Sequence, residues 1–213
     1  METGRTETGT SPGRIVILNG APRAGKSSLA RKMQETIPGH WLNLGVDHAN
    51  AALPPELLPG IGLRPGGERP DLEPIVLRLY RALFGTIALH ATSGFDIVAD
   101  LGLHDDYSTP LGIYALAIET LGPHGALLVG IDCDIAEIMR RRNADPRGGL
   151  YLGGDEVPPP VARWQQAVHA GKTYDMRLDM GKLSPEGGAE EIARLLDDPP
   201  HPTALKPHRD HIS

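Results

Sequence analysis

The chain has 213 residues, of which 40% are hydrophobic and 23% charged, and its formal net charge is −6. This length suits one domain with its own core, and the acidic balance argues against a general nucleic-acid binder, which needs a basic face. A single cysteine, Cys133, excludes an internal disulfide and favours a reducing cytoplasm. No apolar run approaches the length of a membrane span.

The two ends of the chain differ in composition from its middle. Residues 1–13 lack the hydrophobic centre of a secretory signal, and residues 199–213 are rich in proline and histidine but poor in apolar residues. We therefore expect two disordered tails, 1–13 and 199–213, around one folded domain at 14–198.

Short apolar runs alternate with helical patterns between the tails. In chain order they predict strand 14–18, helix 26–36, strand 41–46, helix 71–90, strand 96–101, helix 111–121, strand 126–131, helices 135–142 and 159–170, strand 176–178 and helix 186–196. This alternation predicts a three-layer α/β fold, a parallel sheet with helices on both faces. In such sheets ligands bind beyond the carboxyl ends of the strands.

The first predicted strand is followed by a phosphate-binding pattern. Residues 20–27, GAPRAGKS, match G-x-x-x-x-G-K-[ST], with a strand before and a helix after. Glycines let the backbone approach a phosphate and turn its N–H groups inward, and the helix adds the positive end of its dipole. Lys26 supplies a cation for the β- and γ-phosphates, and Ser27 an oxygen for magnesium. The loop predicts a bound nucleoside triphosphate, held by Gly20, Ala21, Pro22, Arg23, Ala24, Gly25, Lys26, Ser27 and Ser28.

Two aspartates follow predicted strands. Asp100 ends an apolar run and suits a magnesium-holding or acceptor-aligning role, whereas Asp47 is better placed to take a proton from an acceptor hydroxyl. Each also has a structural interpretation, a helix N-cap for Asp47 and a turn for Asp100. His104, Asp105 and Asp106 lack a second cluster of metal ligands, which favours a polar loop.

Arginines follow the fourth predicted strand. Arg140, Arg141, Arg142 and Arg147 offer guanidinium groups that match phosphate geometry, as on the mobile lid of a kinase. Arginines near the end of a helix also complement its dipole, and three consecutive ones cannot all face one ligand. We favour Arg141 and Arg147 for phosphate contacts.

Four segments together resemble a known family. RIVILNGAPRAGKSS, WLNLGVD, VGIDCD and VHAGKTYDMRLD are similar to the chloramphenicol phosphotransferase-like family of small P-loop kinases, from about residue 14 to residue 196. The resemblance implies a five-stranded parallel sheet, ATP and Mg²⁺ as cosubstrates, and phosphoryl transfer to a hydroxyl of a small antibiotic. It also implies a general-base role for Asp47, nucleotide contacts at Gly25, Lys26 and Ser27, and lid contacts within residues 140–147.

The chain departs from the family pattern at two places. The lid usually reads close to R-G-D-R but here reads A-D-P-R, and residues 53–70 are rich in proline and glycine where the family contacts its acceptor. These departures suggest an acceptor other than chloramphenicol, such as another hydroxylated natural product or a nucleoside- or sugar-bearing antibiotic.

Three functions fit the sequence. The first is an ATP-dependent O-phosphotransferase that transfers the γ-phosphate to a small antibiotic or related natural product, for self-resistance or biosynthesis. The alternatives are a kinase for a nucleoside or other small metabolite, and a non-catalytic nucleotide-binding regulatory module. The expected partner is a small hydroxylated acceptor rather than nucleic acid or membrane. The sequence is also compatible with a homo-oligomer.

Overall fold

A computed structural model describes residues 11–145 and 156–206. Five strands of this part of the chain form one sheet in the order β2-β3-β1-β4-β5, and every neighbouring pair is parallel. The strands are β1 (Ile15–Gly20), β2 (Trp41–Asn43), β3 (Asp96–Leu101), β4 (Leu127–Asp132) and β5 (Met176–Asp179). The predicted five-stranded parallel sheet is confirmed.

Helices cover both faces of the sheet. The described α-helices are α1 (Lys26–Thr36), α2 (Val46–Ala51), α3 (Glu73–Thr92), α4 (Ile113–Leu121), α5 (Ile135–Ala144), α6 (Pro159–Ala167) and α7 (Pro185–Asp197). Successive residues of β1 point to opposite faces, so Val16 and Leu18 join a core with α1, α5, α6 and α7. Ile15 and Ile17 join a second core with α3 and α4. The three-layer α/β prediction is therefore confirmed.

Strand β1 continues further than its apolar run. All six residues of β1 are buried, including the polar Asn19, whose side chain is fully hydrogen-bonded. Its Nδ2 donates to the Val168 carbonyl at 2.9 Å and to the Tyr174 hydroxyl at 2.8 Å, and its Oδ1 accepts from the Leu103 N–H at 2.7 Å. These bonds offset the cost of burying an amide, so the strand reaches Gly20 and delivers the next loop to the sheet edge.

The second predicted strand, 41–46, is shorter than expected. It ends at Asn43, whose Oδ1 accepts the Gly45 N–H at 3.1 Å, and α2 begins at Val46. This local hydrogen bond turns the chain out of the sheet. The apolar pattern continues to residue 46, whereas the strand ends at Asn43. Short 3₁₀ turns at Pro55–Leu57 and Gly60–Gly62 follow within the proline- and glycine-rich segment.

The C-terminal segment also differs from the expected disordered tail. Leu205 is only 1% exposed and belongs to the core on the α3 and α4 side. The carboxylate of Asp175 accepts the Ala204 N–H through Oδ1 and the Leu128 N–H through Oδ2, both at 2.7 Å. The buried Leu205 side chain and the Asp175 carboxylate therefore hold residues 204–205 against the domain. The composition of residues 199–213 alone is typical of a disordered tail.

No helix of residues 11–145 and 156–206 combines the length and the apolar character needed to cross a membrane.

Removing residues 199–213 is expected to lower the free energy of unfolding by about 2–4 kcal/mol, because Leu205 leaves its buried site. Urea denaturation of the two chains measures the difference. A chain that ends at residue 206 keeps Leu205 and Ala204 and serves as the matched control. Equal stability of the two truncated chains would contradict the anchoring role.

Candidate active site

The loop between β1 and α1 has the geometry of an anion cradle. Gly25 precedes α1 with φ of 106°, in the left-handed region that favours glycine, and Arg23 also has a positive φ of 68°. No side chain of the described residues caps the N-terminus of α1. Its first N–H groups therefore remain available to an anion at the positive end of the helix dipole.

Lys26 lies at the start of α1 and folds back over the loop. Its ammonium donates to the carbonyls of Gly20 and Ala21, at 2.8 and 2.9 Å. Burial lowers the pKa of Lys26 to about 8, against the opposing pull of the Asp100 and Asp47 carboxylates. A bound phosphate would stabilise the protonated form of Lys26.

Ser27 and Asp100 meet across the end of the sheet. The Ser27 hydroxyl donates to Oδ2 of Asp100 at 2.6 Å, and Asp100 is 7% exposed. Burial raises the pKa of the Asp100 carboxyl, while the Ser27 hydrogen bond and the Lys26 charge lower it.

The Ser27 and Asp100 oxygens are hard donors of the kind that Mg²⁺ prefers. Within the described ranges, no three His, Cys, Asp or Glu residues are grouped so as to hold a metal. The pair therefore fits an ion that takes most of its ligands from phosphate and water, as Mg²⁺ does in kinase sites.

Gly45 brings the start of α2 against Asp100. A Cβ placed on Gly45 would lie 1.7 Å from Oδ1 of Asp100, far inside contact distance. Its φ of −79° suits any residue, so the requirement for glycine here is steric. This close approach places Asp47, in the first turn of α2, beside the Ser27 and Asp100 pair.

Asp47 stands where two cavities meet. The larger has a volume of about 730 Å³ and the smaller about 220 Å³. Their shared lining residues are Arg23, Lys26, Ser27 and Asp47. An exposed carboxylate, an ammonium and a hydroxyl therefore face both spaces at once.

The arginines of α5 are divided between surface and site. Arg141 donates to Glu137 at 2.8 Å, to the Arg23 carbonyl at 3.2 Å and to the Met180 carbonyl at 2.7 Å, and it lines the larger cavity. Arg140 pairs with Glu137 and is 70% exposed. Arg141 therefore lies beside the phosphate loop, and its contact with phosphate stays a prediction, whereas Arg147 lies outside the described residues.

Arg23 has a partner that the sequence did not indicate. Its guanidinium donates to the Asp145 carboxylate at 3.3 Å and to the Asp145 carbonyl at 2.8 Å. It therefore joins the phosphate loop to the end of α5 and also lines both cavities.

Residues 169–175, HAGKTYD, have the pattern H-x-G-x-x-Y-D and support the strands of the sheet. His169 Nδ1 lies 2.8 Å from the Tyr174 hydroxyl, which also accepts from Asn19 of β1. Asp175 holds the backbone of β4 and of the C-terminal segment. This segment positions β1 and its loop, although it lines neither cavity at the phosphate loop.

Sequence reasoning missed several residues of the smaller cavity, including Val46, Ile61 and Trp164. His104 was expected in a polar loop, but it is 1% exposed and packs edge-on against Trp164, with ring centres 5.0 Å apart. In the sequence Val46, Ile61 and Trp164 resemble ordinary core residues of their own segments, so no local pattern assigns them to the cavity.

Most of the chain matches the model of one protein family. The model described as chloramphenicol phosphotransferase-like protein matches residues 13–197. The chain belongs to this family. A Mycobacterium tuberculosis H37Rv protein, provisionally named an O-phosphotransferase, is 26% identical over 211 residues, which cover 92% of this chain and 88% of that protein. The resemblance seen in the sequence is thus confirmed.

Solved structures share the fold. The Mycobacterium tuberculosis APS kinase CysC, in complex with AMPPNP and APS, has a TM-score of 0.58 and 21% identity over 88% of this chain and 99% of that chain. The Deinococcus radiodurans tunicamycin resistance protein has a TM-score of 0.58 and 17% identity over 92% and 99%. The Acinetobacter baumannii shikimate kinase, in complex with shikimate, has a TM-score of 0.53 and 14% identity over 88% and 94%. Family and fold together support a phosphotransferase of the P-loop kinase type.

Gly45→Ala is expected to lower the free energy of unfolding by about 1–3 kcal/mol and to displace Asp100, because the new methyl group overlaps the carboxylate. Gly85→Ala in α3 is the matched control, since nothing lies within 4 Å of its Cβ position and alanine favours a helix interior. Urea denaturation compares the two variants. A Gly45→Ala protein as stable as Gly85→Ala would contradict the close approach.

Proposed function

We propose that the protein is an ATP- and Mg²⁺-dependent O-phosphotransferase that transfers the γ-phosphate to a hydroxyl of a small natural product. The observation that carries the proposal is the position of Asp47, which lines both the larger and the smaller cavity beside Lys26 and Ser27. A phosphoryl donor in one space and an alcohol in the other would meet at this carboxylate.

The larger cavity suits the nucleotide. The uncapped start of α1 and the Lys26 ammonium supply N–H groups and charge for the phosphates. Its lining continues to Met180, Leu183 and Pro185, apolar side chains against which a purine packs. We assign the phosphates to the Gly25–Ser28 end of this cavity and the nucleoside to the other end.

We assign Mg²⁺ binding to Ser27 and Asp100. Their oxygens are 2.6 Å apart and belong to α1 and β3, so together they would hold an ion against the phosphates. Bound Mg²⁺ supplies charge neutralisation on the phosphate oxygens.

The transfer step uses the chain's own groups as follows. Asp47 accepts the proton of the acceptor alcohol while the alcohol oxygen attacks the γ-phosphorus, and the bond from that phosphorus to the bridging oxygen of ADP breaks. Lys26 and Arg141 balance the charge on the transferred group and on ADP. Arg147 is proposed as a second lid contact on the sequence alone.

The family description favours an antibiotic or a related natural product as acceptor, for self-resistance or as a biosynthetic step. A kinase for a nucleoside or another small metabolite is the second candidate, because it would use the same base and cradle. Incubation with γ-labelled ATP, Mg²⁺ and a panel of hydroxylated antibiotics and metabolites separates the two. Mass spectrometry then identifies the product that is heavier by one phosphoryl group.

Asp47→Asn is expected to lower turnover by roughly 10²–10⁴-fold, the typical effect of removing a general base, with nucleotide affinity little changed. His48→Gln changes the exposed neighbour of Asp47 on α2 and is the matched control. Steady-state kinetics and calorimetry measure the two effects. Near-normal turnover of Asp47→Asn would remove Asp47 from the mechanism and favour a non-catalytic nucleotide-binding module.

Nucleotide affinity is expected to fall as the pH rises above about 8, the pKa of Lys26 in the free protein. Bound phosphates raise this pKa, so below pH 8 the lysine is protonated in both states and affinity is constant. Above pH 8 binding must take up a proton, and affinity declines by up to about tenfold per pH unit. Calorimetry in two buffers of different ionisation enthalpy measures the proton uptake.

Lys26→Ala is the control for this pH dependence. It is expected to bind nucleotide weakly, with no proton uptake near pH 8–9, and to transfer no phosphate. Proton uptake that survives in Lys26→Ala would assign the titration to another group.

A further inference from the structure

Arg23 is held in a strained backbone conformation. Among the described residues it is the one non-glycine residue with a positive φ, at 68°. An L side chain in this left-handed region brings its Cβ too close to the following carbonyl oxygen, whereas glycine adopts the region freely. Such strain clusters at active sites and ligand clamps, where the surrounding structure imposes it. An arginine at a position that suits glycine therefore indicates a role for the side chain itself.

The backbone of Arg23 is fixed from outside the phosphate loop. Arg141 of α5 donates to the Arg23 carbonyl at 3.2 Å and to the Met180 carbonyl at 2.7 Å. The loop also closes on itself, since the Ala24 N–H donates to the Ala21 carbonyl at 3.2 Å. These bonds hold the loop in a shape that directs the Arg23 side chain toward the end of α5.

Asp145 orients the Arg23 guanidinium without using all of its donors. The guanidinium donates to the Asp145 carboxylate at 3.3 Å and to the Asp145 carbonyl at 2.8 Å. It has five N–H groups, so most of them make no hydrogen bond within the described part of the chain. The side chains of Arg23 and Asp145 are 31% and 34% exposed, which leaves the remaining N–H groups accessible to a ligand.

The ion pair between Arg23 and Asp145 does not by itself explain this arrangement. Pairs between partly exposed side chains contribute little net stability, because water screens the charges and both side chains lose freedom. The 3.3 Å contact with the carboxylate is also long for a charge-assisted hydrogen bond. A weak tie does not account for a strained arginine, and this points to a ligand for the guanidinium.

Arg23 lies where the two proposed substrates would meet. It lines both the larger and the smaller cavity, together with Lys26, Ser27 and Asp47. In phosphoryl transfer, negative charge spreads over the equatorial oxygens of the group that moves between donor and acceptor. A planar guanidinium binds two such oxygens at once, which an ammonium does not. The position between the cavities therefore suits contact with the transferred group.

We propose that Arg23 is a further catalytic residue, which binds the equatorial oxygens of the phosphoryl group during its transfer to the acceptor alcohol. Asp145 is a positioning residue, which orients the guanidinium and leaves its other N–H groups for the phosphate. The inference rests on the proposed phosphotransferase function. Arg23 forms no covalent bond and gives up no proton. The phosphorus exchanges the bridging oxygen of ADP for the alcohol oxygen, whose proton goes to Asp47.

Arg23→Gly separates the side chain from the backbone. Glycine keeps the positive φ, so the variant is expected to be at least as stable as the unsubstituted protein in urea denaturation. Its kcat, with an acceptor found by the labelled-ATP panel, is expected to fall roughly 10²–10³-fold. KM for ATP is expected to change little, because the lost contact belongs to the transition state. Steady-state kinetics measure both constants.

Arg23→Lys and added guanidinium test for the planar group. Arg23→Lys keeps the charge but is expected to recover less than about a tenth of the lost turnover, because an ammonium cannot bind two oxygens in parallel. Guanidinium ions, far below concentrations that unfold the protein, are expected to restore part of the kcat of Arg23→Gly. Methylammonium is the matched control and is expected to restore none. A purely structural role of Arg23 would show no such rescue.

A double-mutant cycle tests the positioning role of Asp145. Asp145→Asn keeps the backbone carbonyl that accepts from Arg23, and it is expected to lower kcat about 3- to 10-fold with KM for ATP unchanged. The same substitution in the Arg23→Gly background is expected to cost nothing further, because it acts through the guanidinium. An equal loss in both backgrounds would overturn the positioning role.

ADP, Mg²⁺ and aluminium fluoride give a readout that does not need turnover, because aluminium fluoride takes the place of the transferred phosphoryl group. In calorimetry, the unsubstituted protein is expected to bind ADP roughly tenfold or more tightly when aluminium fluoride is present. Arg23→Gly is expected to lose this gain and to keep its affinity for ADP alone.

The outcomes separate the two proposals. Near-normal turnover of Arg23→Gly, or an aluminium fluoride gain that survives in it, overturns the catalytic role of Arg23 and leaves the phosphotransferase intact. A loss of ADP affinity as large as the loss of turnover also overturns it, because Arg23 would then bind the nucleotide in the ground state. Absence of ADP binding and of transfer by the unsubstituted protein overturns the proposed function, and this inference with it.

Discussion

A lysine ammonium held among backbone carbonyls at the carboxyl end of β1 organises the rest of the site. Lys26 is charged yet largely withdrawn from water, and burial lowers its pKa to about 8. The buried sheet brings Asp100 and Asp47 to the same edge from β3 and α2, where they offset part of that cost. The phosphate loop, the start of α1 and Arg141 surround the same space, whose N–H groups and positive charges suit an anion.

Much of the fold was predictable because it depends on local patterns. The buried strands carry continuous apolar runs, the helices carry periodic ones, and the phosphate loop is a contiguous motif whose chemistry follows from its spacing. The errors arose where one side chain overrides the pattern. Asn43 turns the chain out of β2, and Leu205 anchors a segment with the composition of a tail.

The smaller cavity, the proposed acceptor site, was not predictable in the same way. Its wall comes from α2, from the turn at Gly60–Gly62, from the backbone after β3 and from α6, which are far apart in the chain. Gly45 and Gly102 each permit a close approach that only the folded structure reveals. Conversely, the H-x-G-x-x-Y-D segment helped to identify the family although it lines neither cavity at the phosphate loop. Its Tyr174 hydroxyl holds Asn19 of β1 in place.

The partition between the two cavities has a thermodynamic consequence. Arg23, Lys26, Ser27 and Asp47 line both cavities. A polyanion in the larger cavity would therefore alter the electrostatic field that the proposed acceptor alcohol meets in the smaller one. Any such coupling is reciprocal, and each occupant changes the affinity of its neighbour by the same factor. Cooperativity between the two substrates would then be a property of four side chains, with no movement of the backbone required.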